Sequence, residues 1–403
     1  MSAHKPLEGV KVVELASFVA APTAGRMMAE MGADVIRVES TAGDPWRFYG
    51  ANCGLPITDE ENPLFDIYNL GKKDIQLNTK TPEGKEILFH LLDEADVFIT
   101  NNRLKSLVRS GLDYESLKDR FPKLIYGLVT GYGQTGPDVD APGYDGVAFF
   151  SRSGMLADMA EPSGYPASAP GCIGDGATGA ALGGICAALF DRVRTGKGDF
   201  VEISLFGNAV WLCGTMSAFE QYGYHYPKKR SEMGALYTFY KCKDGEWLHL
   251  AVTQHDRYWK PLAEALNVPE LAEDERFANA ALISKNRAQL IPLLEEAFSH
   301  FNYNEIAARL KERDIVFDRM RHYRELATDP QAVANGFVKE YIYESGHPFM
   351  MSMPPVHMRS VGETGPGRGP KPGEHTDEIL KQLGCSEDEI VHLKEAGAVK
   401  QHS

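Results

Sequence analysis

The chain carries six cysteines in 403 residues, and no two of them stand as a C-x-x-C pair. Cys53, Cys172, Cys186, Cys213, Cys242 and Cys385 are too scattered for a disulfide framework or a thiolate zinc cluster, so no metal and reduced thiols in a cytoplasmic setting are expected. Basic residues are in deficit: 42 Lys and Arg face 56 Asp and Glu, leaving a formal net charge of -14. Such a surface repels nucleic acid and anionic membranes, and any anionic ligand must be met by local cations. No run approaches the roughly 18 to 20 apolar residues of a membrane span, and the opening MSAHKPLEG lacks the pattern of a secretory signal. Neither export nor membrane insertion is expected. What is present is a globular composition, 43% hydrophobic and 24% charged, over a length that suits two domains better than one core.

GVKVVELA (9–16) reads as a buried strand, PTAGRMMAEMGA (22–33) as a helix with Pro22 in its first turn, and DVIRVES (34–40) as the next strand. A second cycle follows. TPEGKEILFHLLDEA (81–95) is a helix opened by Thr81, DVFIT (96–100) a strand, and PKLIYGLVTGYG (122–133) another strand after a short amphipathic helix. This alternation predicts an α/β fold with a parallel, doubly wound sheet. GAALGGICAALFDRVRTG (179–196) is a helix rich in small residues, and DFVEISLFGNAVWL (199–212) a strand running into a helix. From about 225 the texture changes: LYTFYKCKDGEWLHLAV (236–252) signals a hairpin, charged helices follow to about 330, and VKEYIYESGHPFMMSM (338–353) is extended again. The reading is a large Rossmann-like domain built from both termini, 1–224 and 331–403, with a smaller α+β domain inserted at 225–330.

The stretch GCIGDGATGAALGG (171–184) satisfies G-x-G-x-x-G through Gly174, Gly176 and Gly179. An aspartate inside a phosphate cradle is out of place, because its charge repels the ligand. The loop follows GYPASAPGCI, with two prolines and no strand, and the first turn, ASFVAAPTAG, lacks a glycine pair; Glu39, placed like a ribose-binding acid, has no loop to serve. A nicotinamide or flavin site is therefore not expected. Two readings of Asp175 remain open from the residues alone. One makes it the N-cap of a helix beginning near Gly176. The other makes it a nucleophile whose flanking glycines give access and free amides for an oxyanion.

The run GDGATGAALGGICAALFDRVRTGKGDFVEISLF (174–206) resembles the hallmark of the class III CoA-transferases, the family of the formyl-CoA and carnitine CoA-transferases. The likeness extends in order through ELASFVAAPTAGRMMAEMGADVIRVESTAGDPWR (14–47), NLGKKDIQLNTKTPEGKEIL (69–88), ADVFITNNRLKSLVRSGLDYESL (95–117), GYGQTGPDVDAPGYDGVAF (131–149) and GEHTDEILKQLGCSEDEIVHLKEAGAV (373–399). The resemblance implies that Asp175 is the acyl-accepting nucleophile. It implies that Val19, Ala20, Leu77, Asn78, Thr79, Lys80, Asn101 and Arg109 line the site for coenzyme A, a substrate rather than a resident cofactor. It further implies an interlocked homodimer and small-molecule acyl-CoA and carboxylic acid partners. Arg47, Lys72 and Lys73 are nearby cations that could meet phosphates, or lie solvated at the surface.

Two departures from the family pattern stand out. The run of four glycines that covers the reacting carboxylate in some members is reduced to Gly234 in RSEMGALYTF (230–239), and a basic CoA contact of some relatives matches Pro142. The sister α-methylacyl-CoA racemases use a His in a Gly-His-Asp triplet; this chain has PGYDG, with Tyr144 there, and a phenol is a poor base at neutral pH. A racemase-type isomerase and a noncatalytic CoA-binding protein are the alternatives, the second having no use for a glycine-flanked carboxylate. His375 in GEHT is expected in a turn or cap. VVELASFVAAPTAGR, VESTAGDPWR and GYDGVAFFSRSG look most like the branch of amino-acid-fermenting anaerobes that moves CoA from an enoyl-CoA to an (R)-2-hydroxy acid such as 2-hydroxyisocaproate or phenyllactate. Phe149, Phe150, Met155, Met159, Leu236, Tyr237 and Phe239, with Arg152 as the only cation, are the expected walls of an apolar acyl pocket.

Overall fold

The computed structural model describes residues 4–162, 164–169, 171–179 and 181–402. These form two compact units, one from Met1–Met155, Ser168–Ser217 and Ala327–Ser403, the other from Leu156–Ala167 and Ala218–Leu326.

The first unit is built on β1 (Lys11–Leu15), β2 (Asp34–Glu39), β3 (Lys73–Leu77), β4 (Val97–Thr100), β5 (Ile125–Thr130) and β6 (Phe200–Ser204). Between them run α1 (Ala20–Glu30), α2 (Pro45–Asn52), α3 (Pro63–Asn69), α4 (Pro82–Asp93), α5 (Leu104–Ser110) and α6 (Tyr114–Leu117). After β5 come a π-helical turn (Asp145–Ser151), α7 (Met155–Asp158), α8 (Ile173–Thr178) and α9 (Ala181–Thr195); α10 (Leu205–Leu212) and α11 (Gly214–Gln221) follow β6. Three of these helices start the same way. Asp44, Asn62 and Thr81 each accept a backbone N–H of the following turn, and each precedes a proline whose fixed φ suits the first helical position.

Strands β1 to β6 pair in parallel, as the alternation predicts. With the last two-residue strand of the chain, Val399–Lys400, antiparallel to β3, the order is last strand, β3, β2, β1, β4, β5, β6. That edge strand was not foreseen, being too short to carry a pattern. Because consecutive strands step outward from β1 in one direction and from β4 in the other, the order reverses between them, and their carboxyl ends leave a crevice there.

The helical stretch Ile173–Thr195 corrects the expectation about apolar runs: its 23 residues, at a hydropathy of 1.4, are long and apolar enough to cross a membrane. Its α9 part lies on the sheet instead. Leu182, Ile185, Ala188 and Leu189 are buried, a Cβ on Gly184 would stand 2.7 Å from Val201, and Arg192 pairs with Asp96 at 2.7 Å.

The side of the sheet under β1 to β3 holds charge. Arg37, fully buried, bonds Asn69 at 2.9 Å and pairs with Glu14, Glu39, Asp44 and Asp74. Lys72 bonds Glu14 at 2.9 Å, and Arg47 bonds Glu39 at 2.9 Å and the Pro370 carbonyl. Burial and the neighbouring Glu39 charge push the Asp74 carboxyl well above its ordinary range. Burial lowers Lys72 to about 8. Lys72 and Arg47 are therefore not phosphate contacts, because their charges are already committed. Lys73 pairs with Glu378 at 3.2 Å, and Glu39 is no ribose acid.

In the second unit β7 (Tyr237–Lys241) and β8 (Trp247–Ala251) form the expected hairpin around Gly245, at φ +89, and a third strand, β9 (Phe317–Arg319), joins β8 antiparallel. Its helices close a core around Tyr240, Trp259, Phe277 and Phe298. Chain segments Val338–Ile342 and Pro348–Ser352 pair as an antiparallel hairpin in the first unit.

Candidate active site

A cavity of about 210 Å³ opens at the carboxyl ends of β1, β4, β5 and β6, the switch point of the sheet. Ser17, Phe18 and Ala20 come from the turn after β1, Asn101, Asn102 and Arg103 from the end of β4, and Thr130 and Gly131 from the end of β5. Tyr144 and Asp175 complete the wall. The β5 loop folds back so closely that a Cβ on Gly131 would meet the Gly143 backbone at 3.0 Å.

Asp175 is the third residue of α8 and not its N-cap. That position belongs to Cys172, which makes no side-chain cap and adopts φ +73, an uncommon left-handed conformation for a side chain of this kind. The capping alternative therefore falls. Two glycines of this loop serve packing: a Cβ on Gly174 would stand 2.5 Å from the Phe149 ring, and one on Gly179 would stand 2.5 Å from the Thr23 methyl. They let α8 lie flush against the π-helical turn and α1. Gly176 meets nothing within 4 Å, and its amide donates to the Cys172 carbonyl at 2.9 Å, so the expectation that this amide is free for an oxyanion is corrected.

The environment raises Asp175 to about 7, chiefly by burial and secondarily through the charge of Asp145. Asp145 opens the π-helical turn, is itself buried, and its Oδ2 has no hydrogen-bond partner among the described residues. The same burial, with Asp175 and Asp145, pushes the Cys172 thiol up to about 12 and the Tyr68 phenol above its ordinary value. Asp175 thus stands in the cavity wall with a second, buried carboxyl, Asp145, close enough to act on it, and no cation is paired to either among the described contacts. A carboxylate ionised there is poorly solvated, and so more basic and more nucleophilic than one in water.

The predicted CoA contacts divide. Ala20 and Asn101 line the cavity with Asp175. Val19 is buried beside them as the residue before α1. Asn101 clamps the turn, accepting the Ser17 N–H at 3.1 Å and donating to the Ser17 carbonyl at 2.7 Å. Leu77, Asn78, Thr79 and Lys80 sit at the carboxyl end of β3, two strands away; Leu77 pairs with Val399, the Asn78 N–H donates to the Ala398 carbonyl at 2.8 Å, and Lys80 is exposed. Arg109 is exposed in the last turn of α5 and does not line the cavity. Arg103, which the sequence reading passed over, does, and Pro142 stands in the wall as a residue with no charge to offer. The signal for Arg103 was its place just past a strand end at the switch point.

Of the expected acyl walls that belong to the first unit, Phe149 and Phe150 are buried, Arg152 pairs with Asp138, and Met155 does not line the cavity; Met159, Leu236, Tyr237 and Phe239 belong to the second unit. The apolar lining that the first unit supplies is Phe18, Leu104, Val129, Val139 and Leu205. His375, as expected, precedes a helix (Thr376–Gln382) and accepts the Asp74 N–H at 3.2 Å.

Comparison with known proteins bears on what the site does. The chain is 39% identical over 396 residues to an (R)-2-hydroxy-4-methylpentanoate CoA-transferase of Clostridioides difficile, covering 98% of this chain and 99% of that one. It is 37% identical to a cinnamoyl-CoA:phenyllactate CoA-transferase of Clostridium sporogenes, covering 96% and 95%. A solved CAIB/BAIF family protein from Brucella suis superposes with a TM-score of 0.78 at 32% identity, covering 94% of this chain and all of that one. The family model for CoA-transferase family III matches residues 7–376, which takes in every cavity residue named above. With a parallel sheet whose switch point holds Asp175, and relatives matched along nearly their whole length, the chain belongs to CoA-transferase family III and is a CoA-transferase.

Proposed function

We propose that this enzyme moves CoA from an enoyl-CoA to a free apolar or aromatic (R)-2-hydroxy acid, with Asp175 as the covalent relay. The observation that carries the reading is Asp175 itself: a half-buried carboxylate in the wall of the switch-point cavity, raised to about 7. An Asp175 oxygen attacks the donor thioester carbon, the C–S bond breaks, and CoA thiolate leaves a mixed anhydride. The thiolate then attacks the aspartyl carbonyl, the donor acid departs with an Asp175 oxygen, and an aspartyl-CoA thioester remains. The acceptor carboxylate displaces the thiolate to form a second anhydride. The thiolate attacks its acyl carbon, and acceptor-CoA and the Asp175 carboxylate are released. The thioester's energy is kept throughout, provided water is excluded from the anhydride.

Coenzyme A would run from Asp175 past Val19, Ala20 and Asn101 toward Leu77, Asn78, Thr79 and Lys80, with Arg109 at the rim. The acceptor class rests on the substrates named for the two clostridial relatives and on the apolar lining of the cavity. An active homodimer is part of the proposal, and Phe190, Val193 and Trp211, exposed on α9 and α10, suit contact with a second copy. The test follows the atoms. With acceptor carboxylate labelled at both oxygens with oxygen-18, each turnover should leave one label on Asp175, and later turnovers should pass it to the donor acid as the labelled oxygen takes its turn to attack. Label retained wholly in the acceptor-CoA and acceptor acid pools would contradict the relay.

A further inference from the structure

We propose that Asp44 is a positioning residue of the transfer site, holding Phe18 in a left-handed backbone conformation that sets the Phe18 and Tyr144 wall of the Asp175 cavity. Phe18 has φ +62. Phenylalanine enters that region rarely, since its Cβ crowds the following carbonyl and it has no side-chain hydrogen bond to offer in return, as Asn or Asp has. Something outside the residue must hold it. Both carboxylate oxygens of Asp44 lie 3.2 Å from the Phe18 N–H, and Asp44 is 2% exposed. On the other side Asn101 clamps Ser17 through both its backbone groups. In this conformation the Phe18 ring meets Tyr144 edge-on, centroids 5.4 Å apart at 72°, and both residues line the cavity that holds Asp175.

The charge of Asp44 is what fits it to the task. It also accepts the Trp46 N–H at 2.9 Å and pairs with Arg37. An asparagine in its place would, whichever way its amide turned, set an NH₂ group against the Phe18 N–H and also against either the Arg37 guanidinium or the Trp46 N–H, donor against donor. Arg37 would keep Asn69 at 2.9 Å, with Glu14 and Glu39 at 3.4 Å, so the substitution leaves no unpaired buried cation. Strand β2 is thus tied through Arg37 and Asp44 to the turn that walls the site, across 26 residues of sequence.

The proposal rests on Asp175 being the reacting group, and a double-mutant cycle tests it. Asp44→Asn, Phe18→Gly and the double variant are assayed for kcat/KM and for thermal midpoint. Glycine takes positive φ without cost, so at residue 18 it needs no holding. Asp44→Asn should lower transfer by about 10- to 100-fold in the native background, the scale of a displaced site wall, and by no more than about 3-fold in the Phe18→Gly background. A helix-capping or ion-pairing role is indifferent to residue 18. Loss by the same factor in both backgrounds, or an unchanged kcat/KM in the native one, would overturn the proposal. Should Asp44→Asn fail to fold, Asp44→Ser, which keeps a good helix-cap acceptor, carries the same cycle. The cycle reads kcat/KM and thermal midpoint and not the site of acylation, so finding a covalent intermediate at a residue other than Asp175 would remove the nucleophile assignment and leave the coupling of Asp44 to Phe18 decided separately.

Discussion

Replacing Asp175 by asparagine should make the protein more stable and inactive at once. An aspartate has an ordinary pKa of about 4, and in this site it rises to about 7, first through burial and then through Asp145. Each pKa unit is 1.36 kcal/mol, so above pH 7 the native chain carries up to about 4 kcal/mol of ionisation penalty that a neutral amide does not. Water at the cavity mouth reduces this to about 2 kcal/mol. The sign follows from proton binding. Below pH 4 Asp175 is protonated in both folded and unfolded chains and the penalty vanishes. From pH 4 to 7 only the unfolded chain ionises, stability falls with rising pH, and above 7 the penalty is constant. Urea unfolding at pH 4 and pH 8 measures it: Asp175→Asn should match the native chain at pH 4 and exceed it by about 2 kcal/mol at pH 8, with no CoA transfer at either. An equal difference at the two pH values, or a loss of stability at pH 8, would refute the reasoning about the pocket.

Asp145→Asn should remove one source of that shift while burial remains, so the acid limb of the kcat/KM profile should move to lower pH by only part of the distance to an ordinary aspartate; an unmoved limb would mean Asp145 does not act on Asp175. Gly174→Ala should cost about 1–3 kcal/mol of stability, because its Cβ would meet the Phe149 ring at 2.5 Å, whereas Gly176→Ala, facing open space, should leave the thermal midpoint nearly unchanged. Arg103→Ala should raise the KM for acyl-CoA more than Arg109→Ala does, since Arg103 alone of the two lines the cavity; the reverse order in steady-state kinetics would place the CoA path elsewhere. Across an acceptor panel, kcat/KM should favour 2-hydroxyisocaproate or phenyllactate over formate, oxalate and carnitine, and efficient transfer to oxalate with none to the hydroxy acids would sink the acceptor assignment.

What the sequence made legible was whatever local pattern decides. Alternating apolar runs and helices around GVKVVELA, DVIRVES and DVFIT gave the parallel sheet, and the Lys-Asp-Gly turn at 243–245 gave the hairpin of the second unit. Val399–Lys400 and Phe317–Arg319 escaped because two or three residues carry no period. Asp175 stood out as a charge among glycines, but the purpose of those glycines did not. Their role depends on Phe149 and Thr23, brought there by packing between distant elements. Lys72 and Arg47 looked like surface cations because their partners, Glu14 for Lys72 and Pro370 for Arg47, lie 58 and 323 residues away. The same distance hid Asp44, whose value shows only when Phe18 is seen at positive φ.

The most direct measurement of the central claim is to trap the covalent intermediate. The enzyme is mixed with acyl-CoA without an acceptor, quenched with hydroxylamine or borohydride, digested, and the modified peptide sequenced by mass spectrometry. The account predicts modification at Asp175 alone, as the hydroxamate or the reduced alcohol, and none in the Asp175→Asn variant. Modification at another residue, or none in an enzyme that turns over normally, would contradict it.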